Sequence, residues 1–298
     1  MSLLVKVAAN DRQHNAPFAR IVALLRCAAD HPVSRAVRSR RPSLGRSSLL
    51  VALVCLIGVI GYGFQIGYPL GSVFTVVPAG EDTAAASDGT TAVYVSGDLG
   101  FSKGMGPRVA RHFAAQGIPT IGVNSLSAFA FGGDVRSAAE IVRTAVARAL
   151  AVPGTRRVLL IGQSFGANIV LAGAAALPPE LKAHVPLVAL VVPVDTMQFR
   201  ATPGGIVGET VQGPALPFAR RLTGEPVLCL HGETEEDSLC SQWQQVNVRG
   251  IALPGDHYLQ HDDALVAATL LHAYNTPALP AALPKVQARP NSPQRPFA

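Results

Sequence analysis

From about residue 92 onward, short continuous apolar runs alternate with longer segments in which apolar residues recur at helical spacing. The runs at 92–96, 120–123, 158–161, 187–192, 227–231 and 246–253 read as strands, and the segments 105–116, 134–151, 165–176 and 262–274 read as helices. Strands that are apolar on both faces and are separated by helical segments imply a doubly wound, mostly parallel α/β sheet with right-handed crossovers. One apolar run is different in kind. Residues 47–70 are apolar almost throughout, and no charged residue falls between Arg46 and Glu81. About 20 apolar residues are what a helix needs to cross a bilayer, and the glycines Gly58, Gly61 and Gly63 are better tolerated in a span than in a soluble helix. The pattern therefore divides the chain into a leader (1–46), a transmembrane helix (47–70), a linker rich in small residues (71–90), an α/β domain (91–276) and a tail (277–298). With six prolines and no apolar period, the tail is expected to be disordered.

Charge then orients the span. The leader holds nine Lys/Arg against Asp11 and Asp30, a net +7, while the whole chain is +6, so everything after Arg46 sums to −1. The basic character belongs to the leader. Such a flank predicts a cytoplasmic amino terminus and an exported domain in a single-pass inner-membrane protein. The leader is long for a signal peptide, and no small-x-small site directly follows the apolar run, so an uncleaved anchor is expected. The arginines lack the interleaved aromatics or reader motif of a nucleic-acid arm, and nucleic acid is not expected as a partner. Cys27 and Cys55 fall in the leader and span, where they are expected to stay reduced. Cys229 and Cys240 fall in the exported part, where an oxidising compartment permits a disulfide; two buried thiols are the alternative.

The candidate chemistry begins at Gly162-Gln163-Ser164-Phe165-Gly166, set between a strand run and a helical run. Gly-x-Ser-x-Gly in that setting is the nucleophile elbow of α/β-hydrolases, a strained turn that holds a serine hydroxyl clear of its backbone. A serine needs a base, and the base an orienting acid; in this fold they follow in the order Ser, acid, His. His257, directly after the last strand run, is the expected base, with His261 as substitute. The acid lies among the four carboxylates of 233–237: Asp237 is favoured because Asp-Ser-Leu-Cys-Ser resembles a usual ending after a triad acid, and Glu235, three residues after Gly232, is the alternative. The oxyanion needs backbone donors, expected from the amides of Phe165 and of Asp98, with Leu99 second. The histidines are scattered and the exported cysteines are not at ligand spacing, so neither a metal nor another cofactor is expected.

Together, the stretch 96–101, the stretch 122–126, the elbow, the acid loop 232–240 and Pro254-Gly255-Asp256-His257-Tyr258 resemble the AcvB/VirJ family of bacterial virulence proteins, over roughly 92–274. Leu99, Phe101 and Asp256 stand where that family tends to have Gly, Trp and Gly. The resemblance implies a compact α/β-hydrolase fold, a periplasmic setting, and hydrolysis of lysyl-phosphatidylglycerol, an aminoacylated phospholipid. It also implies a secretion-system or virulence partner. A generic exported esterase or thioesterase, and a non-catalytic accessory protein on the same fold, are the competing readings.

Overall fold

The computed structural model describes residues 46–80, 88–205 and 211–276. Most of the leader and all of the Pro-rich tail lie outside the described residues. The first helix, α1 (Arg46–Ile66), is apolar on every side and ends where Gly67, at φ 80°, turns the chain back: the amides of Gly67 and Tyr68 donate to the carbonyls of Phe64 and Gly63. A glycine in the left-handed conformation is the ordinary helix terminator. Two compact units divide between Leu53 and Val54, within this helix. The sheet and everything that follows belong to the second.

Among the described residues nine strands follow: β1 (Phe74–Val77), β2 (Thr90–Val95), β3 (Thr120–Val123), β4 (Arg157–Gln163), β5 (Leu187–Val191), β6 (Thr196–Gln198), β7 (Val211–Pro214), β8 (Val227–Gly232) and β9 (Val248–Leu253). Seven of them form one sheet in the order β1-β3-β2-β4-β5-β8-β9, parallel except for β1, which pairs antiparallel with β3. The other two, β6 and β7, make a separate antiparallel pair between β5 and β8 that the apolar pattern did not reveal. The stretch read as a linker is thus corrected in part: Phe74–Val77 is an edge strand held by backbone pairing to β3.

Alternation along the strands fills two cores. Val93, Val95, Val158, Leu160, Val188 and Leu190 point to one face, where α3 (Val135–Leu150) and α4 (Phe165–Ala175) cover them. Ala92, Tyr94, Leu159, Ile161, Ala189 and Leu228 point to the other, under α2 (Gly106–Ala114) and α5 (Asp263–Asn275). Helix α3 starts where the Asp134 carboxylate accepts from the Ser137 amide (2.8 Å), and buries Ala138, Val142, Ala145, Val146 and Ala149 at three- and four-residue spacing. An N-cap of this kind satisfies a donor that the first turn leaves open. Asp262 caps α5 in the same way through the Leu265 amide. Helix α4 is buried over Phe165–Ala174, which explains why its sequence shows no polar face. With both sheet faces covered, the carboxyl edge of the parallel strands is left to carry a site.

Candidate active site

Strand β4 ends at Gln163 and α4 begins at Phe165, so Ser164 alone makes the turn. Its backbone sits at φ 51°, ψ −120°, a region that non-glycine residues rarely enter. Such strain persists only where the surroundings over-determine it. Here the Ser164 amide donates to the Val191 carbonyl of β5 (2.9 Å), and the Ala167 amide donates back to the Ser164 carbonyl (2.8 Å). Gly166 completes the turn, because a Cβ there would run into the carbonyls of Val95 and Ser96 at the end of β2. The elbow is therefore wedged against two neighbouring strands. Beneath it, the Tyr94 hydroxyl donates to Gln163 Oε1 (2.9 Å), and full burial drives that phenol's pKa well above its ordinary value.

His257 follows β9 on the Pro254–Tyr258 loop. Its Nε2 lies 2.9 Å from Ser164 Oγ, and its Nδ1 lies 2.5 Å from Glu235 Oε1. The second oxygen of Glu235 accepts from the Gly232 amide (3.1 Å), and the Glu235 side chain is only 1% exposed. Two backbone contacts stitch the acid loop to the end of β9 and the histidine loop, Glu233 donating to Leu253 and Thr234 to Gly255, while the Glu235 amide closes its own turn onto Gly232. Gly232 has to be glycine, since a Cβ there would strike the Asp256 backbone.

The carboxylate bonded to the imidazole is thus Glu235, which corrects the preference for Asp237. The reason lies in the backbone after the acid turn. Residues 237–239 are committed to the loop after β5: the Asp237 carbonyl accepts from the Asp195 amide, Ser238 bridges Val194, and the Leu239 amide donates to Pro193. Asp237 is left exposed and reaches the histidine only through its charge. Ser238 caps the turn Leu239–Gln242 instead. Cys240 in that turn is joined to Cys229 of β8 by a disulfide, which ties the end of the acid loop to its own strand. His261, the substitute base, packs against Tyr258 at a tilt, with ring centroids 5.5 Å apart, and takes no part in the constellation.

Burial pushes the His257 imidazole down in pKa. The hydrogen bond and charge of Glu235, with the charges of Asp237 and Asp98, outweigh that burial and leave the pKa raised. Asp98 belongs to the loop after β2, which passes directly beside the elbow: a Cβ on Gly97 would lie 3.4 Å from Ser164 Cβ. That loop is pinned from the next strand end by Ser125, whose amide donates to Ser96 Oγ (3.1 Å) and whose hydroxyl donates to the Ser96 carbonyl (2.5 Å). The stretch 122–126 contains Ser125, but its pinning role on Ser96 could not be read from a single strand's sequence. Leu99 is exposed. Among the described residues no three His, Cys, Asp or Glu side chains converge to hold a metal ion. A cavity lined by Arg157, Leu187, Val227 and Arg249 opens at the opposite, amino-terminal edge of the strands and contains none of these groups.

A serine on a strained strand-to-helix turn, a histidine after the last strand and a glutamate after the strand before it define an α/β-hydrolase fold with a complete Ser–His–Glu constellation. Among solved structures, Est1E from Butyrivibrio proteoclasticus shares this fold, with a TM-score of 0.50 at 13% identity over 68% of this chain and 93% of that one. An esterase domain from a Rhodothermus marinus protein (17% identity, 68% and 98% covered, TM-score 0.44) and a lipase-esterase related protein from Clostridium acetobutylicum (13%, 67% and 99%, 0.45) are also similar. No curated protein matches the chain. Residues 89–278, well over half of the chain, match the family described as bacterial virulence protein (VirJ), and the chain belongs to that family.

Proposed function

We propose that the chain is a membrane-anchored serine ester hydrolase of the periplasmic face that cleaves the lysyl ester of lysyl-phosphatidylglycerol. The observation that carries this reading is the continuous relay from Ser164 Oγ through His257 to Glu235 at the strand edge. In the reaction Ser164 Oγ attacks the lysyl carbonyl while His257 Nε2 takes its proton. Glu235 holds the other nitrogen protonated and balances the imidazolium. The amides of Phe165 and Asp98 are assigned to the oxyanion. Collapse of the tetrahedral intermediate breaks the bond to the glycerol oxygen, which leaves with the proton from His257. Water, deprotonated by the same imidazole, then attacks the lysyl-serine ester and frees lysine, restoring the serine.

Two features favour a cationic acyl group on a lipid. Asp98 and Asp237 add negative charge around the catalytic histidine, a field that attracts the two ammonium groups of a lysyl ester. The stretch Ser48–Ile66 is a helix long and apolar enough to span a bilayer, and a basic flank before it favours an exported domain. The test is lysine release by the full chain in phosphatidylglycerol vesicles doped with the lysyl lipid, beside a neutral soluble ester. Release that disappears in Ser164→Ala supports the reading. Turnover of the soluble ester alone would leave a generic esterase. If Ser164→Ala keeps the biological phenotype, the role is binding and not catalysis.

A further inference from the structure

The chain leaves α1 directly onto the rim of the active site. From Val54 to Phe64 the large apolar side chains of the helix are exposed, yet Ile66 is 2% exposed and belongs to the core under the sheet. Its carbonyl accepts from Asn124 Nδ2 (3.3 Å), and the Gly67 carbonyl accepts from Ser127 Oγ (2.6 Å). A Cβ on Gly100 would lie 3.3 Å from the same Ile66 carbonyl. The exit is therefore clamped between the loops that follow β2 and β3. The β2 loop is also the one that passes beside Ser164. A helix of Ser48–Ile66 rises roughly 28 Å at about 1.5 Å per residue, close to the thickness of a hydrocarbon core. No slack remains between the last apolar turn and the rim.

The same two loops and the exit carry large exposed apolar residues. Phe131, four residues after Ser127, is 80% exposed; Leu70, three after Gly67, is 78% exposed; Leu99, next to Gly100, is 43% exposed. Lys103 is exposed on the β2 loop, Arg136 on the first turn of α3 where the β3 loop ends, and Arg200 on the segment after β6. The Gly132 and Ala201 segments adjoin there, with the Ala201 amide donating to Phe129. Of the acidic groups in these loops, Asp134 caps α3 with its charge offset by the neighbouring Arg136, and Asp98 faces the site. Aromatic and aliphatic tips among cations are the composition that settles at an anionic lipid interface.

We infer that this half of the rim, Leu70, Leu99 and Phe131 with Lys103, Arg136 and Arg200, lies on the surface of an anionic bilayer, so that the site opens at headgroup level instead of above it. The inference rests on α1 being a membrane anchor. It goes beyond the proposed reaction by fixing which face of the domain meets lipid. The approach of a headgroup ester to Ser164 would then come from the β2–β3 side.

The test uses the full chain in nanodiscs of phosphatidylcholine and phosphatidylglycerol, with part of the lipid brominated at a shallow acyl position. Trp243, 3% exposed, provides a buried and constant background. Phe131→Trp adds a reporter on the rim, and Val246→Trp adds one at an equally exposed position (80%) before β9, at the opposite strand edge. Bromolipid is expected to quench the added emission of Phe131→Trp and to leave Val246→Trp and the wild type unchanged. In a second arm, Leu70→Asp/Phe131→Asp is expected to lose hydrolysis of the lipid-borne ester while keeping that of a soluble ester. Equal quenching of the two reporters, or none, in a chain that resists alkaline extraction overturns the rim assignment and leaves both the anchor and the chemistry standing. A chain extracted from the discs overturns the anchor and the rim together, and activity on the soluble ester reports on the chemistry independently.

Discussion

Replacing Glu235 by Gln isolates what the buried carboxylate does. The wild-type side chain accepts twice, from His257 Nδ1 (2.5 Å) and from the Gly232 amide (3.1 Å). An amide side chain cannot accept at both positions. If its oxygen faces Gly232, its NH2 faces His257 and forces the tautomer with the proton on Nε2, which cannot take one from Ser164. If its oxygen faces His257, two donors meet at Gly232 in a site where the side chain is 1% exposed, at a cost of roughly 1–3 kcal/mol for the unpaired group. The first arrangement wins on that margin and removes the base. Losing the correct tautomer in such a relay costs roughly 10³–10⁴ in kcat, about 4–5 kcal/mol of barrier. Asp237→Asn, which removes only a distant charge, is expected to stay within about tenfold of wild type.

The pH profile provides a second reading of the same substitution. His257 must be neutral to act, and its pKa is raised, so the acid limb of kcat/KM is expected above the ordinary histidine value of about 6.5. Glu235→Gln removes the largest of the raising influences and leaves burial, which lowers the pKa. The limb of the residual activity moves to lower pH. The sign for stability follows separately. A histidine whose folded-state pKa is raised contributes stability that is complete below its unfolded pKa and is lost as pH rises through the folded one. Glu235→Gln is therefore expected to cost more stability in mild acid than at alkaline pH. A soluble chromogenic ester measured across pH, together with labelling by a serine-reactive fluorophosphonate, checks the first two outcomes, and thermal unfolding at two pH values checks the third. A larger loss in Asp237→Asn than in Glu235→Gln, or an acid limb that does not move, would refute the reasoning.

Two further outcomes follow. The Cys229–Cys240 disulfide spans a sequence separation of 11, so Cys229→Ala/Cys240→Ala is expected to lose about 3 kcal/mol, read as a fall in Tm and a drop in turnover as the acid loop loosens. Ser164 sits at φ 51°, where a side chain is strained; Ser164→Gly is expected to be more stable than Ser164→Ala by roughly 1 kcal/mol in denaturant unfolding, the reverse of the usual order of these residues, while both are inactive.

The fold was legible where burial and period coincide. Strands β2, β4, β5 and β8 are buried along nearly their whole length, so their apolar runs stand out against the polar turns that bound them. Strand β1 did not stand out. Phe74–Val77 is a half-exposed edge strand held by backbone bonds to β3, and backbone pairing leaves no mark on side-chain identity. The pair β6 and β7 is hidden for the same reason: three and four residues long, with Val211–Pro214 mostly exposed. The end of the first helix is a related case. Apolar sequence continues through Gly67 to Leu70, but Gly67 adopts φ 80° and stops the helix at Ile66. The hydropathy pattern has no means of locating that turn.

The site divides along a similar line. Ser164 and His257 were legible because each sits at a fixed distance from a strand end, and the strand ends were visible. The acid was not, because the choice between Glu235 and Asp237 depends on where the acid turn closes. Glu235 is selected by a turn whose amide returns to Gly232 and by a glycine with no room for a Cβ against Asp256. Asp237 is displaced by hydrogen bonds to residues 193–195, about forty positions earlier in the chain. Resemblance to a usual Asp ending carried no information about that partner segment. The support for the oxyanion loop is equally non-local: Ser125 at the end of β3 holds Ser96 at the end of β2, and the helix exit packs on the same strand end through Asn124 and Ser127. One short segment after β3 thus fixes both the loop beside the nucleophile and the point where the chain leaves α1. A change there, such as Asn124→Ala, removes the bond to the Ile66 carbonyl and the cap on the Leu126 amide, and so loosens together the helix exit and the segment that holds the nucleophile's neighbouring loop.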